Sequence, residues 1–423
     1  MSLFSGHSAG QINELYAQAL ENHSVYLEKP FNINMARGVP SAEQLDLSNG
    51  LFDHVGYKSQ DGTDCRNYMG QQGIKEAREL FAPLLGVPSE QVVVDGNSSL
   101  AVMHDCIAYS WNFGNPDSPK PWCKEEKVAF LCPTPGYDRH FKICEVYGIE
   151  LIPVPLNDDG PDIDAVRALA ADPKVRGIWC VPKYSNPTGA VYSQAVVEAL
   201  ASMPVAAPDF RVYWDNAYCE HHLTAERIEI ANISQLCVES GNPNRALLFS
   251  STSKMTFAGA GLALFGGSKA NVEWWLKHAS VRSVGPDKLN QLRHVTFLNA
   301  IGGLPVLMDK HRAILAPRFQ AVHEVFEREL GAWGVAEWSS PKGGYFISVN
   351  CAPNTAARVV ALAKEAGVQL TPAGAAFPYG KDPEDRHLRI APSSVPLNNI
   401  SDASLVIANC ILIAACEQYL SKR

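Results

Sequence analysis

The chain has 423 residues, 46% of them hydrophobic and 19% charged, with a formal net charge of −8. That length and apolar content support a large core, divided between two lobes rather than gathered in one. The acidic balance and the scattered lysines and arginines leave no basic footprint for nucleic acid. No apolar run is expected to approach the length that crosses a bilayer. The opening "MSLFSGHSAGQINELYAQAL" also lacks the basic-then-apolar order of a signal peptide, so the chain reads as cytoplasmic. Eleven dispersed cysteines without a CxxC pair read as reduced, mostly buried thiols.

In chain order, the first fifty residues show no strand and helix alternation of their own and read as an arm. From about residue 91 to 270, short β-branched runs alternate with amphipathic stretches: "QVVVDG", "KVAFLC", "IELIPVPL", "GIWCVPK", "RVYWDNAY", "ALLFSS" and "GLALFGG". Between them lies "DIDAVRALAAD", a helical pattern with Asp162 as N-cap and Ile163, Val166 and Leu169 on one side. Such alternation predicts an α/β fold with a mainly parallel sheet covered by helices, and ligands in such sheets gather at the carboxyl ends of strands. Several strands end in polar tetrads, namely "GNSS", "SNPTG", "DNAY" and "STSK". The "CEHH" run at Cys219 to His222 superficially suggests a metal site. Adjacent residues cannot easily aim at one ion, so no metal is expected.

After Gly303 a long helical connection is predicted, which Pro317 should kink or interrupt. A strand "GGYFISVN", a helix near Thr355 to Ala366 and "HLRIAPSSV" then form a smaller α+β module. The expected division is a large domain over residues 53–303, with 1–52 and 304–423 forming the arm and small domain.

Lys254 in "SSTSKMTFAGAG" reads either as a solvated loop lysine or as a catalytic amine. An amine in a partly desolvated cleft can condense with an aldehyde as a Schiff base. Asp215, a carboxylate among apolar and aromatic neighbours, would then hold a ring nitrogen cationic. Pyridoxal 5'-phosphate (PLP) requires both partners. Ser98 and Ser99, after Gly96 and Asn97, start a helix whose free N–H groups favour anions, although simple N-capping is the commoner use of such serines.

In these motifs the chain resembles the fold-type I PLP-dependent aminotransferases of class I and II. "SNPTG" with Asn186, "DNAY" with Asp215 and Tyr218, "STSK" with Lys254 and "HLRIAPS" with Arg389 follow the family order over nearly the whole chain. The resemblance implies that Lys254 carries the cofactor and later moves the proton, and that Asp215 binds the ring nitrogen. Tyr218 and Asn186 would hold the phenolic oxygen, and Arg389 the substrate α-carboxylate. Ser98, Ser99 and Ser251 would hold the phosphate, and Asn97 and Ser253 would also bind the cofactor. Tyr68 resembles the tyrosine that reaches the neighbouring subunit's phosphate, which implies a homodimer with shared sites.

Two departures stand out. Leu262 and Ala263 occupy the region where the family carries a phosphate-binding arginine, so hydroxyls and dipoles are left to hold the phosphate. Thr134 occupies the usual place of the aromatic that stacks on the ring, and Tyr137 is the alternative.

"ARGVPSAEQLDLS", "SSTSKMTFAGAG" and "VGPDKLNQLRH" look like a divergent bacterial subgroup of aspartate aminotransferases. That implies an acidic amino acid, aspartate or glutamate, with a 2-oxo acid such as 2-oxoglutarate. Gly38 would lie beside the substrate carboxylate, and Arg282 or Arg37 would take a side-chain carboxylate. Each arginine reads equally as a structural ion-pair residue. The competing readings are β-elimination or another PLP reaction on the same scaffold, and a MocR-type regulator, for which the arm lacks a helix-turn-helix pattern.

Overall fold

A computed structural model describes residues 3–53 and 55–421. Its main sheet has eight strands in the spatial order Val92–Asp95, Ala263–Gly267, Ala246–Ser251, Arg211–Asp215, Val175–Cys180, Ala129–Thr134, Glu150–Asn157 and Gly160–Pro161. The run from Ala246–Ser251 to Glu150–Asn157 pairs in parallel. Ala263–Gly267 is antiparallel to both of its neighbours. All seven β-branched runs noted in the sequence are strands of this sheet. Six of them are buried almost throughout, as strands covered on both faces are, whereas Glu150–Asn157 alternates buried and exposed positions.

The alternation of side chains across the sheet divides the core in two. Val94, Ile178, Val212, Trp214 and Leu248 face one layer, packed with the helices Lys75–Leu85, Gln194–Ser202 and Ile233–Glu239. Val93, Phe130, Trp179, Tyr213 and Phe249 face the other, under Ser99–Phe113 and Lys269–Arg282. Burying each large apolar side chain contributes about 1.5–3 kcal/mol. Asp162 caps Ile163–Ala170 through bonds from the Asp164 and Ala165 N–H groups, as its position predicts. Ten of the eleven cysteines are buried, and all are free thiols.

A separate apolar cluster joins Ile12, Ala19 and Met35 from the N-terminal segment to Phe319, Phe326, Val349, Ile390 and Ile407. The N-terminal strand Ile33–Asn34 pairs with Val368–Gln369, and Ala336–Trp338, Ile347–Cys351 and His387–Ile390 form an antiparallel sheet. Pro317 lies inside the helix Leu304–Leu330, which continues past it, with Leu315 and Phe319 on either side buried. One expectation needs correction here. An apolar helix long enough to span a bilayer does exist, Leu397–Ser421, with a mean hydropathy of 1.7. Its apolar window is 78% buried within the fold, which makes it a core helix of the second cluster.

Candidate active site

The carboxyl ends of the strands Val175–Cys180, Arg211–Asp215 and Ala246–Ser251 open with the N-terminus of Ser99–Phe113 onto a cavity of about 230 Å³. Its wall brings together Asn97, Ser98, Ser99, Tyr137, Asn186, Asp215, Tyr218, Ser251, Ser253 and Lys254, drawn from positions up to 157 residues apart. Larger surface clefts exist, but their linings lack this convergence of one amine, one buried carboxylate and several hydroxyls.

Lys254 directs Nζ to 5.0 Å from the ring centre of Tyr218. Its backbone is fixed from below. The Lys254 carbonyl accepts bonds from His221 Nε2 and the Tyr345 hydroxyl, each at 3.2 Å. Gln44 Nε2 then donates to the Tyr345 oxygen at 3.0 Å and lies 3.0 Å from His311 Nδ1, while His311 Nε2 meets the Met255 carbonyl at 2.8 Å. Both histidines face carbonyls through Nε2, which must therefore carry the proton. Burial pushes His221 down to about 3 and His311 down to about 4, so both stay neutral near pH 7. The sequence reading missed this network. Its members come from the arm, the long helix and the smaller sheet, and no local pattern joins them.

Asp215 is 3% exposed. Its Oδ2 accepts from His140 Nε2 at 2.9 Å, while Oδ1 is buried with no hydrogen-bond partner. His140 is itself held by stacking on Trp179, with ring centres 4.3 Å apart. It too was missed, although it stands three residues after Tyr137 on the helix Asp138–Val146 and thus on the same helical side. Asn186 Oδ1 is likewise buried and unpartnered. Burial raises the Tyr218 hydroxyl well above the usual tyrosine range, and Tyr137 up to about 12, so both remain protonated donors. Tyr137 lines the cavity, whereas Thr134 turns away to the Val154 carbonyl at 3.3 Å.

Ser98 is the N-cap residue of Ser99–Phe113, yet its side chain makes no capping bond. The simple capping role is therefore not the one it plays, and the hydroxyl and the first-turn N–H groups are left for a ligand. Ser253 Oγ donates to the Asn97 carbonyl at 3.0 Å and the Asn97 amide donates to the Gly259 carbonyl at 3.0 Å, which tie the lysine turn to this helix start. Leu262 and Ala263 are buried in the sheet, and Lys254 is the only cationic side chain among the described residues lining the cavity.

Arg389 stands on His387–Ile390 with Nη1 3.2 Å from Asp138 Oδ1, Nε 3.4 Å from Thr371 Oγ1, and its guanidinium 5.0 Å over the Phe346 ring. Gly38 abuts that ring: a Cβ there would lie 2.3 Å from Phe346 Cζ. Arg37 beside it is exposed, and its side chain has no hydrogen bond or ion pair among the described residues. Arg282 is not brought into the cavity of its own chain. Asp95 Oδ2 at 2.5 Å and Asp105 Oδ2 at 3.1 Å pair with its guanidinium. Tyr68 is 74% exposed and away from the cavity of its own chain. His222, from the "CEHH" run, pairs through Nδ1 with the Tyr184 hydroxyl at 2.7 Å.

This architecture, a mainly parallel sheet with a lysine and an aspartate at its strand ends, is the fold of the type I aminotransferases. It superimposes on LysN, an α-aminoadipate aminotransferase of Thermus thermophilus solved with N-(5'-phosphopyridoxyl)-L-leucine, with a TM-score of 0.74 over 96% of each chain at 19% identity. The aspartate aminotransferase family model matches residues 8–423, and the chain belongs to that family. It is 49% identical over 394 residues to an aspartate aminotransferase of Corynebacterium glutamicum, covering 92% of this chain and 91% of that one. The crystal structure of an aspartate transaminase from the same species matches with a TM-score of 0.96 at 46% identity, over 99% of both chains.

Proposed function

We propose that this aminotransferase uses PLP bound in the cavity at Lys254 to move the amino group of aspartate or glutamate to a 2-oxo acid such as 2-oxoglutarate. The carrying observation is Asp215: one carboxylate oxygen is fixed by His140 and the other is buried without a partner in the same cavity as the lysine amine. A buried unpaired carboxylate oxygen is costly unless a donor arrives, and a protonated ring nitrogen is such a donor.

When bound, the cofactor supplies an aldehyde carbon and an electron-withdrawing ring. Lys254 Nζ would hold that carbon and is the amine placed to carry a proton to and from the substrate Cα. Asp215 keeps the ring nitrogen protonated. Tyr218 and Asn186 would donate to the phenolic oxygen, and Tyr137 would lie against the ring while Ala217 leaves it room. Ser98, Ser99, Ser251, Ser253 and the helix N-terminus hold the phosphate without an arginine.

Arg389 takes the α-carboxylate by exchanging Asp138 for it, a task suited to a planar fork of donors. Arg37, adjacent to Gly38 and free of partners, is our choice for a side-chain carboxylate. The exposure of Tyr68 fits a role in a partner's site, so we read the enzyme as a cytoplasmic homodimer. Residues 53–303 form its cofactor lobe; 1–52 and 304–423 form the smaller one.

The test is a coupled assay of the PLP-loaded protein with aspartate and 2-oxoglutarate, following oxaloacetate and glutamate. Equimolar formation of both supports the proposal. No glutamate from aspartate, together with release of ammonia, chloride and pyruvate from β-chloroalanine, would move the reading to elimination chemistry.

A further inference from the structure

On the opposite face of the sheet lies a second cavity, of about 330 Å³, that the transamination chemistry leaves unused. Strand alternation creates it. Asp215 points to the cofactor side, so its neighbours Trp214 and Asn216 point to the other, where they meet Leu85, Lys183 and Leu248. Lys183 is 7% exposed and has no hydrogen bond or ion pair among the described residues; its Nζ lies 5.7 Å from the centre of the Tyr184 ring. Asn216 is 8% exposed, and its Oδ1 is buried without a partner. Two carboxylates complete the wall. Glu220 stands 3.9 Å from His222 and 4.0 Å from Arg227, and Glu229 is exposed at the mouth.

Lys183 is largely buried and makes no hydrogen bond among the described residues, with Glu220 and Glu229 on the same wall as its nearest carboxylates, and an apolar residue of similar length would be cheaper there. Burial lowers the Lys183 amine from its ordinary range, with Glu220 and Glu229 partly opposing the shift. The polar set is therefore one donor cation, one unpartnered amide and two flanking carboxylates against a wall of leucine and tryptophan. A simple anion would satisfy Lys183 and be repelled by the glutamates. A simple cation would do the reverse. A zwitterion satisfies both: a carboxylate on Lys183, an ammonium toward Asn216 Oδ1 and a glutamate, and an apolar side chain against Leu85, Trp214 and Leu248.

We infer that this cavity is a second binding site, for a free α-amino acid with an apolar side chain, separate from the active site. Its two inner polar residues are continuous with the catalytic segments, since Asn216 follows Asp215 and Lys183 precedes Asn186 by three residues. Occupancy is placed to bias the geometry of both, and any such coupling must act equally in the two directions.

The test uses the PLP-loaded enzyme and L-photo-leucine, a leucine analogue whose diazirine labels its surroundings on irradiation, with the labelled peptides mapped by mass spectrometry. Label is expected in segments 83–86, 214–220 and 229–233. Excess leucine should chase it and leucine methyl ester, which lacks the carboxylate, should not. Lys183→Met should reduce it by about tenfold, as expected for loss of a charged hydrogen bond, while its transaminase activity without added leucine stays unchanged. Label confined to the Lys254 cavity, equal chase by the methyl ester, or undiminished label in Lys183→Met would overturn the inference. The ester comparison is made on the unaltered chain and stands even if Lys183→Met fails to fold.

Discussion

Asp138 holds the guanidinium that the substrate carboxylate must occupy, and this makes a quantitative prediction. Its Oδ1 lies 3.2 Å from Arg389 Nη1, with the aspartate side chain 34% exposed and the arginine 11% exposed. A charge-assisted bond contributes about 1.5–3 kcal/mol when buried. Screening at this degree of exposure lowers that to about 1 kcal/mol. Every incoming carboxylate has to offset that contact, so removing it should tighten carboxylate binding roughly fivefold, since about 1.4 kcal/mol corresponds to a factor of ten. Asp138→Asn keeps the shape and removes the charge. Titrating the PLP-loaded variant with maleate, a dicarboxylate that has no amino group to transfer, reads the effect directly. Steady-state KM should fall for acidic and neutral amino acids alike, with kcat nearly constant. The first-turn aspartate also favours the helix dipole at Asp138–Val146, so a small loss of stability is expected and is separable by thermal melting. Unchanged or weaker maleate binding in a folded Asp138→Asn would refute the exchange at Arg389.

Further outcomes follow from the same geometry. Arg37→Ala should lower kcat/KM for aspartate selectively against alanine. Arg282→Ala, which strands Asp95 and Asp105, should instead lower the melting temperature and spare selectivity; the reverse pattern would return Arg282 to the substrate. Mixing Tyr68→Phe subunits with Lys254→Ala subunits should restore activity in heterodimers, which contain one site free of both changes, and no recovery despite verified exchange would argue against shared sites. Four buried histidines have depressed values, His221 to about 3 and His294, His311 and His387 to about 4, against 6.5 ordinarily. The folded state disfavours their protonation, so their contribution to stability is full above about 6.5 and is lost as pH falls toward 4 and then 3. Urea midpoints measured across that window should fall with pH, and less steeply in His221→Gln; a flat profile would contradict the neutral assignment.

The mainly parallel sheet was legible because its β-branched runs alternate with helical patterns and all but Glu150–Asn157 are apolar enough for burial on both faces. Lys254, Asp215, Asn186 and Tyr218 were legible as positions because strand ends concentrate polar residues there. Their partners were not. His140, Asp138, Gln44, Tyr345 and His311 act across tens to hundreds of residues of chain, and a hydrogen bond leaves no trace in local periodicity. Arg282 looked available from its place after a helical run, yet the carboxylates that claim it, Asp95 and Asp105, lie on a strand and a helix far earlier in the chain. The apolar helix Leu397–Ser421 was misread for a related reason: what it packs against decides its place, and that packing is tertiary.

The proposed chemistry is tested most directly by reducing the PLP-loaded enzyme with borohydride and mapping the modified residue by mass spectrometry. A stoichiometric phosphopyridoxyl group on Lys254, lost together with aspartate transaminase activity in a Lys254→Ala protein that still folds, is the predicted result. Stoichiometric labelling of another lysine, or undiminished turnover by Lys254→Ala, would contradict it.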